Sequence, residues 1–282
     1  MQPIKNELTT TYRTSAILAV VVLIASIVGI ARAGDGFYSS YQASLAGLAG
    51  QDFVSLVGGL PVLVAAMWLA HRGSTRALLV WAGALFYFAY SYFFFVVGGF
   101  NAMFPIYILI VATSLYGLLS LLFTIDPSAA AARFDAHVPR RLVAGYLIGI
   151  ALLFVFMWGG MSISMIAAGE KPDAVVHLVV AIDGAVLLPA LLIGGWKLWH
   201  RSAWGYVLGG LLLVKAAMTG ATLAFTTTLG GVWDGQIDGF NAFLLVLFGL
   251  MAVSAVGLSV VYFGRIHGAV GTVRPMPTAI AT

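Results

Sequence analysis

The chain has 282 residues, of which 61% are hydrophobic and only 9% charged, and it contains no cysteine. A soluble domain carries roughly 25% charged residues, so a water-soluble globule is excluded; without cysteine, so are disulfides, thiolate metal sites and thiol nucleophiles. The formal charge of +4 comes from basic residues set singly or in pairs at the ends of apolar runs, which suits membrane topology and anionic headgroups and leaves no basic stripe for nucleic acid.

A hydrocarbon core of roughly 30 Å calls for about 20 mainly apolar residues per crossing helix. Eight runs qualify, at about 14–33, 52–71, 76–98, 101–124, 141–166, 174–198, 203–228 and 240–264. They are far longer than the roughly 10-residue segments of a membrane β-barrel and do not alternate, so the expected fold class is an all-α polytopic membrane bundle. The first run follows Lys5 and Arg13 and ends at Ala31-Arg32-Ala33, a pattern that also resembles a cleavable signal peptide. It is read as a span because the internal repeat described below requires it.

The connections sort by charge. Arg72 and Arg76 lie between spans two and three, Arg133, Arg140 and Arg141 between four and five, and Lys197 and Arg201 between six and seven; Arg265 and Arg274 follow the eighth. These join Lys5 and Arg13 on one side. The opposite loops hold Arg32 and Lys171 against Asp35, Asp52, Glu170, Asp173, Asp234 and Asp238. By the positive-inside rule both termini are cytoplasmic, which an odd number of spans would not allow. The expected location is the bacterial cytoplasmic membrane.

Order within the chain repeats. Leu60-Pro61 is followed by Trp68 and His71-Arg72, and Leu188-Pro189 by Trp196 and His200-Arg201. Gly99-Phe100-Asn101-Ala102 opens span four as Gly239-Phe240-Asn241-Ala242 opens span eight. Residues 1–124 therefore form one four-helix half and 141–264 the other, with 125–140 as linker, 265–282 as tail and an extra segment near Gly231–Asp238. An even number of helices per half makes the repeat parallel, with its pseudo-two-fold axis along the membrane normal, as in several transporters. Pro61 and Pro189 remove a backbone donor and predict kinks. The His-Arg pairs place cations at helix C-termini, and Asn101 and Asn241 are expected to cap helix starts.

Two ionisable groups fall well inside spans: Asp183 in span six and Lys215 in span seven. At 1.5 Å per residue they lie about 14 Å and about 18 Å from the opposite ends of neighbouring antiparallel helices, and so at nearly the same depth. A direct ion pair is expected, because each isolated charge costs about 2.5–3.5 kcal/mol at the centre of a span. Lys215, Thr219, Thr222 and Thr226 share one face of span seven. That stripe either lines a hydrated path or bonds to neighbouring helices. Tyr87, Tyr90 and Ser91 share a face of span three and supply candidate hydroxyls, or pack as aromatics commonly do. Counted from the prolines, Asp183 matches Ser55; counted from the His-Arg pairs, Lys215 matches Phe86. The charged site is thus asymmetric. His177 lies near the outer end of span six, off the face of Asp183.

Several chemistries lack their residues. There is no HExxH zinc pair, no histidine set for haem or di-iron, and no GxxxxGK[ST] loop. Gly159-Gly160-Met161-Ser162 lacks the surroundings of a membrane serine protease. A retinal Schiff base on Lys215 with Asp183 as counter-ion has no wider pattern behind it. No catalytic residue, metal site or cofactor is assigned. The expected function is transport or sensing of a small solute or proton around Asp183 and Lys215. The alternatives are an accessory subunit whose charges fix helix packing, and a membrane enzyme acting on a lipid or quinone.

The stretch from Leu188-Pro189-Ala190 through Trp204-Gly205-Tyr206-Val207-Leu208 to Leu212-Leu213-Val214-Lys215 resembles a pattern in uncharacterised bacterial multi-pass membrane proteins. So does the stretch from Tyr87 to Phe100-Asn101-Ala102-Met103-Phe104. The resemblance implies that the Asp183–Lys215 region typifies such a family, and it implies no activity.

Overall fold

The computed structural model describes residues 4, 8–41, 45–172, 174–233 and 239–267. Eight of its helices are long and apolar enough to cross a bilayer. Helix α1 is Thr9–Arg32, α2 Leu45–His71, α3 Thr75–Val97 and α4 Phe104–Thr124. A short helix α5, Pro127–Ala131, lies in the linker, its first turn capped by Asp126. The second set is α6 Arg140–Ala168, α7 Ala174–Trp199, α8 Ala203–Trp233 and α9 Gly239–Gly264. Among the described residues the only β pairing is two isolated bridges. Lys5, Asp173, Asp234, Asp238 and Arg274, all counted among the charges flanking the spans, lie outside the described residues, as does most of the extra segment near Gly231–Asp238.

Helix α8 is the hub, packing on α2, α3, α5, α6, α7 and α9, while α3 packs on α2, α4 and α8. Small residues permit the close crossings, as lipid-embedded helices require. A Cβ on Gly83 of α3 would stand 2.7 Å from the Leu211 carbonyl of α8, and one on Gly220 would stand 2.8 Å from Ala252 N of α9. By contrast α9 turns most of its surface outward, exposing Val246, Leu250, Val253 and Val260. Helix α1 is tied in by polar contacts: Trp81 Nε1 donates to Ser15 Oγ at 3.0 Å, and Thr11 and Ser120 hydroxyls pair at 2.8 Å.

Two starts differ from the sequence reading. Helix α2 begins at Leu45, so Asp52, read as a loop residue, sits two turns inside it and is wholly buried. The segment Leu45-Ala46-Gly47-Leu48-Ala49-Gly50 is apolar and small enough to continue the span, with Gly50 against Thr226 of α8. Asn101 accepts from Met103 N at 2.9 Å and so closes the turn ahead of α4 rather than capping its first N–H groups. Asn241 is the third residue of α9.

The linker and the end of α9 form a clasp at the arginine-rich end of the bundle. Asp135 N donates to Arg265 O and His267 N to Arg133 O, both at 2.8 Å, and Arg76 donates to Ile266 O at 2.6 Å. His137 and His267 pair with the Asp135 carboxylate at 2.9 and 3.1 Å. The His137 backbone N–H, together with these imidazoles, holds that carboxyl well below the usual carboxylate range.

Candidate functional site

The prolines act one turn upstream of where a simple kink would fall. In α2 residues Ser55–Gly59 form a π-helical turn just before Leu60-Pro61, and in α7 Asp183–Leu187 do the same before Leu188-Pro189. Leu60 N–H bonds to Ser55 O and Leu188 N–H to Asp183 O, the i→i−5 reach of a π turn. Proline offers no N–H to the preceding turn, and widening that turn absorbs the mismatch. Such turns are frequent at functional sites. Here the second one carries Asp183.

Asp183 is 3% exposed and Lys215 2% exposed. Tyr90 of α3 donates its hydroxyl to Asp183 Oδ1 at 2.6 Å, and Trp158 of α6 donates Nε1 to Oδ2 at 3.0 Å. The expected direct ion pair is not formed: no nitrogen–oxygen contact within 4.0 Å joins Lys215 to Asp183. Instead the Lys215 ammonium stands 3.7 Å from the centre of the Tyr90 ring and 5.9 Å from that of Phe86. Tyr90 is therefore the bridge, giving its hydroxyl to the acid and its π face to the base. Helix depth brings the two charges to one level of the bundle but has no means of placing an aromatic ring between them.

The arrangement balances two desolvated charges. A hydrogen bond to a charged group contributes about 1.5–3 kcal/mol, and a desolvated cation–π contact about 2 kcal/mol. These are comparable with the cost of about 2.5–3.5 kcal/mol for each charge at mid-span. Removing either charge alone unbalances the other.

A second polar run lies along α8. Gln51 Nε2 donates to the Tyr87 hydroxyl at 2.9 Å, Tyr87 pairs with Thr222 Oγ1 at 2.9 Å, and Thr222 donates to Met218 O at 2.8 Å. Thr219, one turn from Lys215, has a buried hydroxyl with no hydrogen-bond partner. Ser91 is buried beside Tyr87. The face shared by Tyr87 and Tyr90 thus divides: Tyr87 joins α2 to α8, and Tyr90 joins α7 to α8. Thr226 bonds within its own helix, to Leu223 O at 3.1 Å, and His177 is exposed on α7. The stripe hydrogen-bonds to its neighbours at Thr222 and leaves Thr219 unsatisfied.

Sequence reasoning does not find Trp158, Gln51 or Asp52 as members of these networks. Trp158 carries no sequence signal separating it from the other tryptophans. Asp52 is legible as a carboxylate but reads as a loop residue. Two cavities flank the centre, one of about 530 Å³ against Tyr87, Val214 and Met218, the other of about 340 Å³ against Trp158, Gly184 and Pro189. Neither is lined by Asp183 or Lys215, and both charges are almost wholly buried. Comparison with known protein families, curated proteins and solved structures returned no match.

Proposed function

We propose that this integral membrane protein is a proton-coupled transporter or sensor of a small solute, seen here closed around its charged centre. The observation that carries the reading is the bridge: a buried acid and a buried base share one tyrosine instead of neutralising each other directly. Protonating Asp183 would remove the charge that balances Lys215. Lys215 then needs water or a ligand, and the site opens. Trp158, Tyr90 and Phe86 are the other groups facing the two charges, and none supplies a replacement charge.

The matching π turns at Ser55 and Asp183, and the contact between Lys215 and its counterpart Phe86, support two related halves meeting at this centre. The arginine-rich clasp supports a cytoplasmic location for that end, and we place the protein in a bacterial inner membrane. A second reading, a static strut in an accessory subunit, is favoured by the enclosure of both charges. The absence of cysteine separates the two, because Thr219→Cys supplies a lone thiol at a hydroxyl with no partner. In lipid vesicles its labelling by a hydrophilic thiosulfonate, normalised to the denatured chain at each pH, should rise on acidification. With Asp183→Asn it should already be high at neutral pH. A thiol inert at all pH in both backgrounds would leave only the strut.

A further inference from the structure

We infer that Asp52 is a second proton-holding site, in the first half of the molecule, joined to the Lys215 centre by the polar side chains along α3 and α8. Asp52 is wholly buried. Tyr38 donates to its Oδ2, and Tyr92 donates to its Oδ1 at 3.3 Å. Tyr92 in turn pairs with Ser26 of α1 at 3.1 Å. Among the described residues the elements around it supply phenols and no cation: Tyr38 and Tyr41 from the segment after α1, Tyr92 from α3, and Tyr107 from α4. The nearby Arg32 stacks on Phe37, its guanidinium carbon 5.2 Å from the ring centre. A Cβ on Gly29 would collide with the Asp52 carboxyl and the Tyr38 hydroxyl, so α1 seals the site with backbone.

A carboxylate without a cation in a dry interior is far less favourable than the neutral acid. Tyr92 can accept from a protonated Oδ1 while donating to Ser26, so the bound proton has an acceptor. Asp183 also faces two donors, but there the Lys215 ammonium stands against the ring of one of them, Tyr90. Helix geometry continues the line: Gln51, adjacent to Asp52, donates to Ser55 at 3.1 Å and to Tyr87, which pairs with Thr222. Ser55 lies beside Tyr92. Thr222 lies on the Lys215 face of α8, two helical turns from the lysine. The ligand is a proton, which adds to one carboxylate oxygen and on leaving restores the charge.

The connection rests on the proton-coupled reading; the occupancy of Asp52 does not. Infrared spectroscopy of the full chain in lipid vesicles at neutral pH should show a carboxylic-acid C=O band that Asp52→Asn removes and Asp183→Asn retains. Tyr92→Phe should shift that band without abolishing it, which covers the case of an unfolded Asp52→Asn variant. A band absent from the wild type, or indifferent to both Asp52→Asn and Tyr92→Phe, overturns the site. In the Thr219→Cys background, Asp52→Asn should move the acid midpoint of labelling; an unmoved midpoint overturns the connection while leaving the band intact.

Discussion

Replacing Tyr90 by phenylalanine removes one atom from the bridge and leaves the rest. The hydroxyl bond to Asp183 at 2.6 Å is lost, while a ring in the same place still faces the Lys215 ammonium at 3.7 Å. A hydrogen bond to a charged acceptor is worth about 1.5–3 kcal/mol, whereas neutral interhelical bonds in membranes average about 0.6 kcal/mol. Because Trp158 still serves the other oxygen, a loss near the lower end, about 1.5 kcal/mol, is expected. Tyr90→Leu also forfeits the cation–π contact and should lose about 2 kcal/mol more. The assay is reversible unfolding in mixed micelles, run as a double-mutant cycle with Asp183→Asn, which isolates the pair term. A coupling energy indistinguishable from zero, or equal losses for Tyr90→Phe and Tyr90→Leu, would refute the bridge.

Other perturbations read other parts of the fold. Lys215→Ala alone strands a buried carboxylate and should cost about 3–5 kcal/mol, while Lys215→Ala with Asp183→Asn should recover much of it; equal unfolding midpoints for the two would count against charge balance. Gly83→Ala forces α3 from the Leu211 carbonyl and should cost about 1–3 kcal/mol, with loss of the Tyr87–Thr222 contact visible in tyrosine ring resonances. At the clasp the Asp135 carboxyl is lowered from its ordinary value, so its contribution is complete above the unfolded carboxyl range, about pH 4, and fades only in stronger acid as pH falls through the folded value. Hydrogen exchange of residues 133–138 should therefore be unchanged by Asp135 between pH 7 and about pH 5, and should quicken at neutral pH in Asp135→Asn.

Span number and the depth of the charged residues are legible because bilayer thickness imposes them on sequence length. Asp183 and Lys215 stand out because a charge in the middle of an apolar run is costly enough to be rare. What stays hidden depends on helix rotation and on neighbours distant in sequence. Nothing in the run from Phe86 to Tyr92 shows that Tyr90 turns to α7 and Tyr87 to α2 and α8. Asp52 is misplaced for a different reason: an acidic residue at the edge of a hydrophobic run looks like the edge itself. Only the packing of α1, α3 and α4 around it shows otherwise. The prolines announce a distortion, but its form, a π turn opening on Asp183, depends on how the backbone absorbs the missing N–H.

In the proposed mechanism an unbalanced Lys215 opens the site. Its most direct test compares hydrophilic labelling of Thr219→Cys in three backgrounds in lipid vesicles: the otherwise unaltered chain, Asp183→Asn, and Asp183→Asn with Lys215→Met. Charge balance predicts acid-dependent labelling in the first, labelling already high at neutral pH in the second, and low labelling at every pH in the third. If the doubly neutral variant labels as readily as Asp183→Asn alone, the lysine is not what opens the site and the account is wrong.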